Sequence, residues 1–355
     1  MSRWPIAAAA FLLWQAGSPH AVDPFTFLTP TVSFTAADRD RLARGSALVR
    51  VLPSDAGEVA IVAAVPVGVD PPRFVSWIRQ IAALKKSAFV TGIARFSDPP
   101  VLHDLDGLTL DDEDLEAIRQ CKANDCDINL AREELDLLHK AASGPGWRDA
   151  LQLEFRQLVL ARVRAYLAGG QRALPSYIGA PASTEAAFNT IVTHTAFLTT
   201  HLPALTRHLQ DYPRTPPPSR VESFLYWSKE ALGGRPTTSV THVAIFTPDA
   251  DDLPDVVVAG KQVFATHYTT GALNITALTR GPSSAGRYLV YVNRSRVDVL
   301  ERWYGGLARV VIEHKIKGEA ADVLQGLRHR LESGDPPSGS ISGAGPATAR
   351  TPAPR

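Results

Sequence analysis

The chain is poor in cysteine, in net charge and in long apolar runs. Only Cys121 and Cys126 occur in 355 residues. A zinc site built on thiolates needs more soft ligands than that. Formal net charge is +1, so no global field of either sign points to a nucleic-acid partner. After the first 21 residues no stretch reaches the roughly 18 uninterrupted apolar residues of an ordinary transmembrane helix. A soluble mature chain is therefore expected. Local catalytic signatures are missing too. There is no His-Glu-x-x-His, no phosphate-cradling glycine loop, no Gly-x-Ser-x-Gly elbow and no Gly-x-Gly-x-x-Gly. Neither a metal nor a cofactor is expected. Carboxylate or Ser–His pairs assembled from distant segments remain open.

The N-terminus carries the clearest signal. Arg3 precedes the apolar run Ile6 to Trp14, and a small-residue stretch follows to Ala21. A basic start, a short apolar core and small residues before a cut are the layout of a secretory signal peptide. The run is too short to span a bilayer. Residues 1–21 are read as a signal, and the mature chain as periplasmic or secreted. In an oxidising compartment Cys121 and Cys126 most simply form a disulfide; a redox pair more typically has two residues between its cysteines. Composition is otherwise that of a globular protein, 45% hydrophobic and 21% charged.

Along the chain, Leu48 to Leu52 and Glu58 to Val69 read as strands joined by the turn at 53–57. Asp70-Pro-Pro then caps a helix whose Phe74, Trp77, Ile78, Ile81 and Leu84 form one apolar stripe. Phe89 to Phe96 is a further strand. The acidic stretch 98–127 does not match a calcium loop, and its acids suit the first turn of a helix starting near Thr109. Residues 128–218 read as helices. Within them His194, His201 and His208 recur every seven residues and would share a face on one straight helix, which Pro203 opposes. The chain then switches to period two. Val240 to Phe246, Val256 to His267, Leu273 to Leu278 and Tyr288 to Asn293 read as an antiparallel meander. Arg296 to Leu331 is predicted as the longest helix, with Gly305-Gly306 inside its first half and Leu300, Tyr304, Leu307, Val311, Val323, Leu324, Leu327 and Leu331 as its buried seam. From residue 334 the chain is rich in Gly, Pro, Ser and Ala, which predicts a disordered tail.

The fold class these elements imply is α+β: a curved antiparallel sheet gripping a long C-terminal helix, with an inserted all-α block. The strand-to-helix segment ending "DPPRFVSWIRQI" and the closing segment "GRYLVYVNRSRVDVLERWYGGLARVVIEHKIKGEAADVLQGLRHRLE" resemble the START-like, helix-grip superfamily. On that resemblance residues 22–333 form one domain, with 128–218 as a helical insertion. The whole chain also looks like a recurring exported bacterial family to which no activity attaches. The resemblance implies a hydrophobic small molecule or lipid held between sheet and helix. It places Trp303, Tyr304, Gly305, Gly306 and Val310 of the helix, and His242, Phe264, His267, Tyr268 and Arg294 of the sheet, around that ligand. Transient contact with a membrane surface fits such a cargo. Two rival readings stand beside it. One is a cavity-based hydrolase or cyclase using His242, His267, Asp298 and Glu301. The other is an envelope structural or adaptor protein docking through 128–218.

Overall fold

The computed structural model describes residues 23–122, 126–180, 182–231, 234–281, 286–301 and 305–334. The signal at 1–21, Trp303, Tyr304 and the tail from 335 lie outside the described residues.

The capping residue Thr35 opens α1 (Ala36–Ala43) by accepting from Asp38 N, while Asp38 accepts from Thr35 N. β1 (Leu48–Val51) and β2 (Glu58–Val67) follow as an antiparallel pair. Asp70 caps α2 (Pro71–Arg79) by accepting from Arg73 N, and α3 (Ile81–Leu84) follows after a break at Gln80. β3 (Val90–Arg95) leads into the inserted helices. These are α4 (Asp112–Gln120), α5 (Arg132–Ala141), α6 (Trp147–Gly169), α7 (Thr184–His194), α8 (Ala196–His201) and α9 (Pro203–Asp211). Asp111 caps α4, and Asp112, Glu113 and Asp114 fill its first turn, where the helix dipole favours acids. Cys121 and Cys126 are joined in a disulfide just beyond α4.

The meander runs through β4 (Val221–Glu230), β5 (Thr237–Phe246), β6 (Val256–Ala265), β7 (Thr269–Arg280) and β8 (Arg287–Val297). All eight strands form one antiparallel sheet in the order β1-β2-β8-β7-β6-β5-β4-β3. After a 3-10 turn at Asp298–Glu301 the chain ends in α10 (Gly305–Ser333).

Three expectations need correction. The sequence reading gave no separate strand to Val221–Glu230. Phe224 and Tyr226 pack on one sheet face while Leu225 and Trp227 pack on the other, so both faces are buried and no alternation shows. The final helix does not begin at Arg296, because β8 stays in register with β2 as far as Arg296 opposite Glu58. Gly305-Gly306 therefore opens α10 rather than sitting inside it. Within the seam, Leu324 and Leu331 are buried and Leu327 is half-buried, but Val323 faces solvent.

The sheet carries two cores. Its inner face packs Val65, Val243, Ile245, Val256, Val258, Leu278 and Leu289 against Phe74, Trp77 and Ile78 of α2 and Leu324 and Leu331 of α10. Its outer face is covered in two places. Phe188, Ile191, Phe197, Leu205 and the N-terminal Phe25 and Phe27 lie on β2, β8, β7 and β6. Leu151, Phe155, Val159 and Tyr166 lie against Leu225, Trp227, Val240 and Phe264. The inserted helices thus cover the face that α10 does not touch. Gly92 makes room for this packing: a Cβ there would lie 3.0 Å from the Trp227 ring. Trp227 Nε1 in turn donates to the Asp104 carbonyl at 2.8 Å.

Candidate functional site

α10 returns antiparallel to β8 and spans the inner face lengthwise. Near its start Arg309 donates to the carbonyls of Asp55 and Ala56 in the β1–β2 turn. At its end Glu332 accepts from Gly68 N at 2.9 Å. Its main contacts are with β1, β2, α2 and the 3-10 turn before it. The inner face beneath it is divided. The end near Trp77 is apolar and filled by α2 and by Leu324 and Leu331. Strand alternation puts Ser228, Ser239, Thr241, Gln262, Asn274, Tyr291, Asn293 and Ser295 on the same face toward the other end.

This polar half is a connected network. Tyr291 donates to Asn274 Oδ1 at 2.8 Å, and Asn293 Nδ2 donates to the same oxygen. Ser295 Oγ donates to Asn293 Oδ1 at 3.1 Å. Thr269 Oγ1 donates to Gln262 Oε1 at 2.8 Å. Gly260, opposite Val243 and Asn274, leaves the centre of the sheet without a side chain. Lys85, just past α3, bonds Glu230 and lies 3.3 Å from the Tyr226 hydroxyl. Burial alone would lower the Lys85 pKa, but Tyr226 and Glu230 outweigh it and raise the value. Burial pushes Tyr291 up to about 12, with Lys85 opposing and Glu230 and Tyr226 reinforcing. Tyr226 and Tyr291 are four strands apart, about 19 Å on a flat sheet. That Tyr226 acts on the ionisation of Tyr291 reflects the curvature of the grip. Ser239, Gln262, Asn274, Tyr291, Asn293 and Ser295 are only half-buried. They are neutral donors and acceptors on a concave wall, suited to binding rather than to proton transfer.

The sheet residues expected around a ligand, His242, Phe264, His267, Tyr268 and Arg294, do not share this wall. His242 and Phe264 sit on the outer face, under α6 and α9. His267 is buried beside α4: its Nδ1 is 2.9 Å from the Asp127 carbonyl and its Nε2 is 3.1 Å from Asp114 Oδ1, which Arg235 also reaches. Tyr268 is exposed at the β6–β7 turn with φ of 65°, and its hydroxyl accepts from Arg235 N. Arg294 faces outward and bonds the buried Glu58, whose other oxygen is 2.8 Å from His194 Nδ1. Gly305 and Gly306 start α10, and Val310 follows within it. One-residue alternation explains the displacement. His242 and Arg294 are each next to an inner-face residue, Thr241 and Asn293, and so point the other way. Asp298 and Glu301 lie in the 3-10 turn, where Asp298 N donates to the Tyr268 carbonyl, while His242 of the enzymatic reading lies apart under α6 and α9.

The three histidines at seven-residue spacing also part company. His194 meets Glu58 and Asp55, His201 meets Thr29, and His208 is buried beside His242. Among the described residues no group of three or more His, Cys, Asp or Glu is placed to hold a metal ion. Sequence reasoning missed Lys85, Glu230, Asn274 and Asn293. The signal that could have found the asparagines was amide side chains in strands, where Asn is disfavoured.

Two surface depressions, of about 330 and 380 Å³, flank the start of α2 and the outer end of β5. The second, lined by Val75, Arg79, Glu222 and Ile245, adjoins the apolar end of the grip.

No protein-family model matches the chain, and no curated protein matches it. Among solved structures it is similar to the Zhui aromatase/cyclase from Streptomyces sp. R1128. The identity is 15% and the TM-score 0.23, over 37% of this chain and 85% of that one. The fold class therefore rests on this chain's own geometry: an α+β protein whose antiparallel sheet grips a closing helix, with helices inserted between β3 and β4.

Proposed function

We propose that this chain is an exported, non-enzymatic binding or carrier protein for a hydrophobic small molecule or lipid that bears polar groups. The ligand lies on the inner face between the sheet and α10. The observation that carries this reading is the half-buried row Ser239, Gln262, Asn274 and Asn293 around the bare position of Gly260. A protein that only needed a core would fill that position with an apolar side chain, as it does two residues along β6 at Val258 and on β8 at Leu289. Hydroxyls and amides on a concave wall give orientation to a cargo, and the aromatic faces of Tyr226 and Tyr291 give it area. Export is the companion part of the proposal. It rests on the sequence of residues 1–21 and agrees with the Cys121–Cys126 disulfide.

The test is to purify the protein gently from its native host, extract it with organic solvent and identify the extract by mass spectrometry. A stoichiometric small molecule is expected, and its loss in a folded Gly260→Leu variant. An empty extract, or cargo retained unchanged by Gly260→Leu, overturns the reading.

A further inference from the structure

The outer face of β5 and β6 holds a buried cluster that the proposed binding site does not use. Tyr166 of α6, His208 of α9, Tyr212 just after α9, His242 of β5 and Lys261 of β6 converge there. Ring centroids are 4.4 Å apart for Tyr212 and His242, 5.3 Å for Tyr166 and Tyr212, and 5.8 Å for His208 and His242. His242 and Lys261 are fully buried and His208 is 2% exposed. The polar groups are sparsely partnered. The Tyr166 hydroxyl lies 2.8 Å from His242 Nδ1, and Lys261 Nζ donates to the Leu209 carbonyl at 2.7 Å. His242 Nε2 and both ring nitrogens of His208 are buried without a hydrogen-bond partner.

The three bases have no close acid. Lys261 Nζ sits 4.0 Å above the Phe188 ring of α7 and 5.5 Å from the Tyr166 ring. The acid acting on Lys261 is Glu185 of α7, which is partly exposed and paired with Arg172. Asp98 acts on Tyr212. Among the described residues no carboxylate forms an ion pair with His208, His242 or Lys261. A proton added to either histidine therefore creates a charge that burial penalises and Lys261 repels. Burial and Lys261 hold His208 below its ordinary pKa and His242 well below it, and burial brings Lys261 down to about 7. Elsewhere along the same interface the charges are matched. Arg162 pairs with Glu134 at 2.6 Å between α6 and α5. At the end of α7, His194 lies between two carboxylates, Glu58 and Asp55.

We propose that the His208–His242–Lys261 cluster is a pH-operated latch, and that proton uptake by the two histidines lifts α6 and α9 from the outer face of the sheet while the end of α7 stays anchored. At this cluster the helices meet the sheet through side-chain packing and the single bond from Lys261 Nζ to the Leu209 carbonyl, whereas the strands beneath are held by their own ladders. The interface can therefore open without the sheet melting.

Hydrogen exchange read by mass spectrometry, corrected for the intrinsic pH dependence, tests this on the full chain between pH 8 and pH 5. Segments 150–168 and 203–212 are expected to lose at least tenfold in protection on acidification, and 256–280 to keep theirs. The double variant His208→Gln/His242→Gln is expected to stay protected at pH 5. Unchanged protection of the wild type at pH 5, or the same loss in the double variant, overturns the latch. If the double variant does not fold, NMR titration of the wild-type histidines decides. Midpoints of His208 and His242 that coincide with opening support the latch, and free titration near 6.5 without opening overturns it.

Discussion

The two faces of the sheet solve the same burial problem with different chemistry. The inner face is apolar where α2 and the end of α10 cover it, and elsewhere carries neutral hydroxyls and amides with ion pairs such as Lys85–Glu230 and the more exposed Arg79–Glu222. The outer face is sealed by inserted helices, and there the buried groups are acids and bases: Glu58, Arg294, Arg162, His208, His242, Lys261 and His267. A neutral polar wall keeps its hydrogen bonding across a wide pH range. A wall that includes His208, His242 and Lys261 does not, since a charge gained there is one that only specific neighbours compensate. The comparison teaches that the face suited to holding a cargo and the face suited to responding to conditions are opposite sides of one sheet.

The largest expected effect is on the outer face. Glu58→Gln leaves the buried Arg294 without its counter-ion and weakens the hold on His194, and should cost about 3–5 kcal/mol in urea unfolding. An effect below ~1 kcal/mol would mean that the two faces are not energetically different. Next comes Lys261→Met. Lys261 binds a proton more weakly folded than unfolded, so its burial cost is absent above pH 10.5, grows by about 1.4 kcal/mol per pH unit on going down, and levels off near pH 7. The variant should be more stable than wild type at pH 7 by about 1–3 kcal/mol, after loss of the bond to Leu209, with less advantage at pH 9. Parallel stability curves for the two proteins across pH 7–9 would break that account.

The matching change on the inner face is smaller. Lys85 and Glu230 are 28% and 22% exposed, so Glu230→Gln should cost about 1 kcal/mol, discounted for solvent screening. Burial would raise the Glu230 pKa, but Lys85 holds it down, so this contribution is present at neutral pH and fades as pH falls through the Glu230 titration. Smallest in stability is Asn274→Leu, expected within ~1 kcal/mol of wild type because the residue is half-buried. It should nonetheless remove an extractable cargo. A large stability loss without change in cargo would make Asn274 a structural residue.

Local signals were legible. Asp70-Pro-Pro placed a helix start because a cap needs only its own next three residues. The turn at 53–57, the acids of α4 and the antiparallel strands from β5 to β8 were readable for the same reason. β4 was not, since a strand buried on both sides loses its alternation. The candidate site was legible only as a place, under a closing helix. Its side chains were not: His242 and Arg294 stand one position from the inner face, and pleat parity follows from pairing with a distant strand. Lys261, in Val-Ala-Gly-Lys-Gln-Val, reads as a solvated charge until α9 is laid over it.

By itself the sequence determined the cysteine pair, the α+β class and the order of strands, inserted helices and closing helix. These depend on composition, period and neighbours within a few residues. Only the tertiary structure decided which face each strand residue takes, and that the inserted helices close the outer face. It also decided that Glu58 and Arg294, separated by 236 positions, share a buried bond. The physical reason is register: a shift of one residue in strand pairing exchanges the two faces, and no local pattern in a chain buried on both sides records which was chosen.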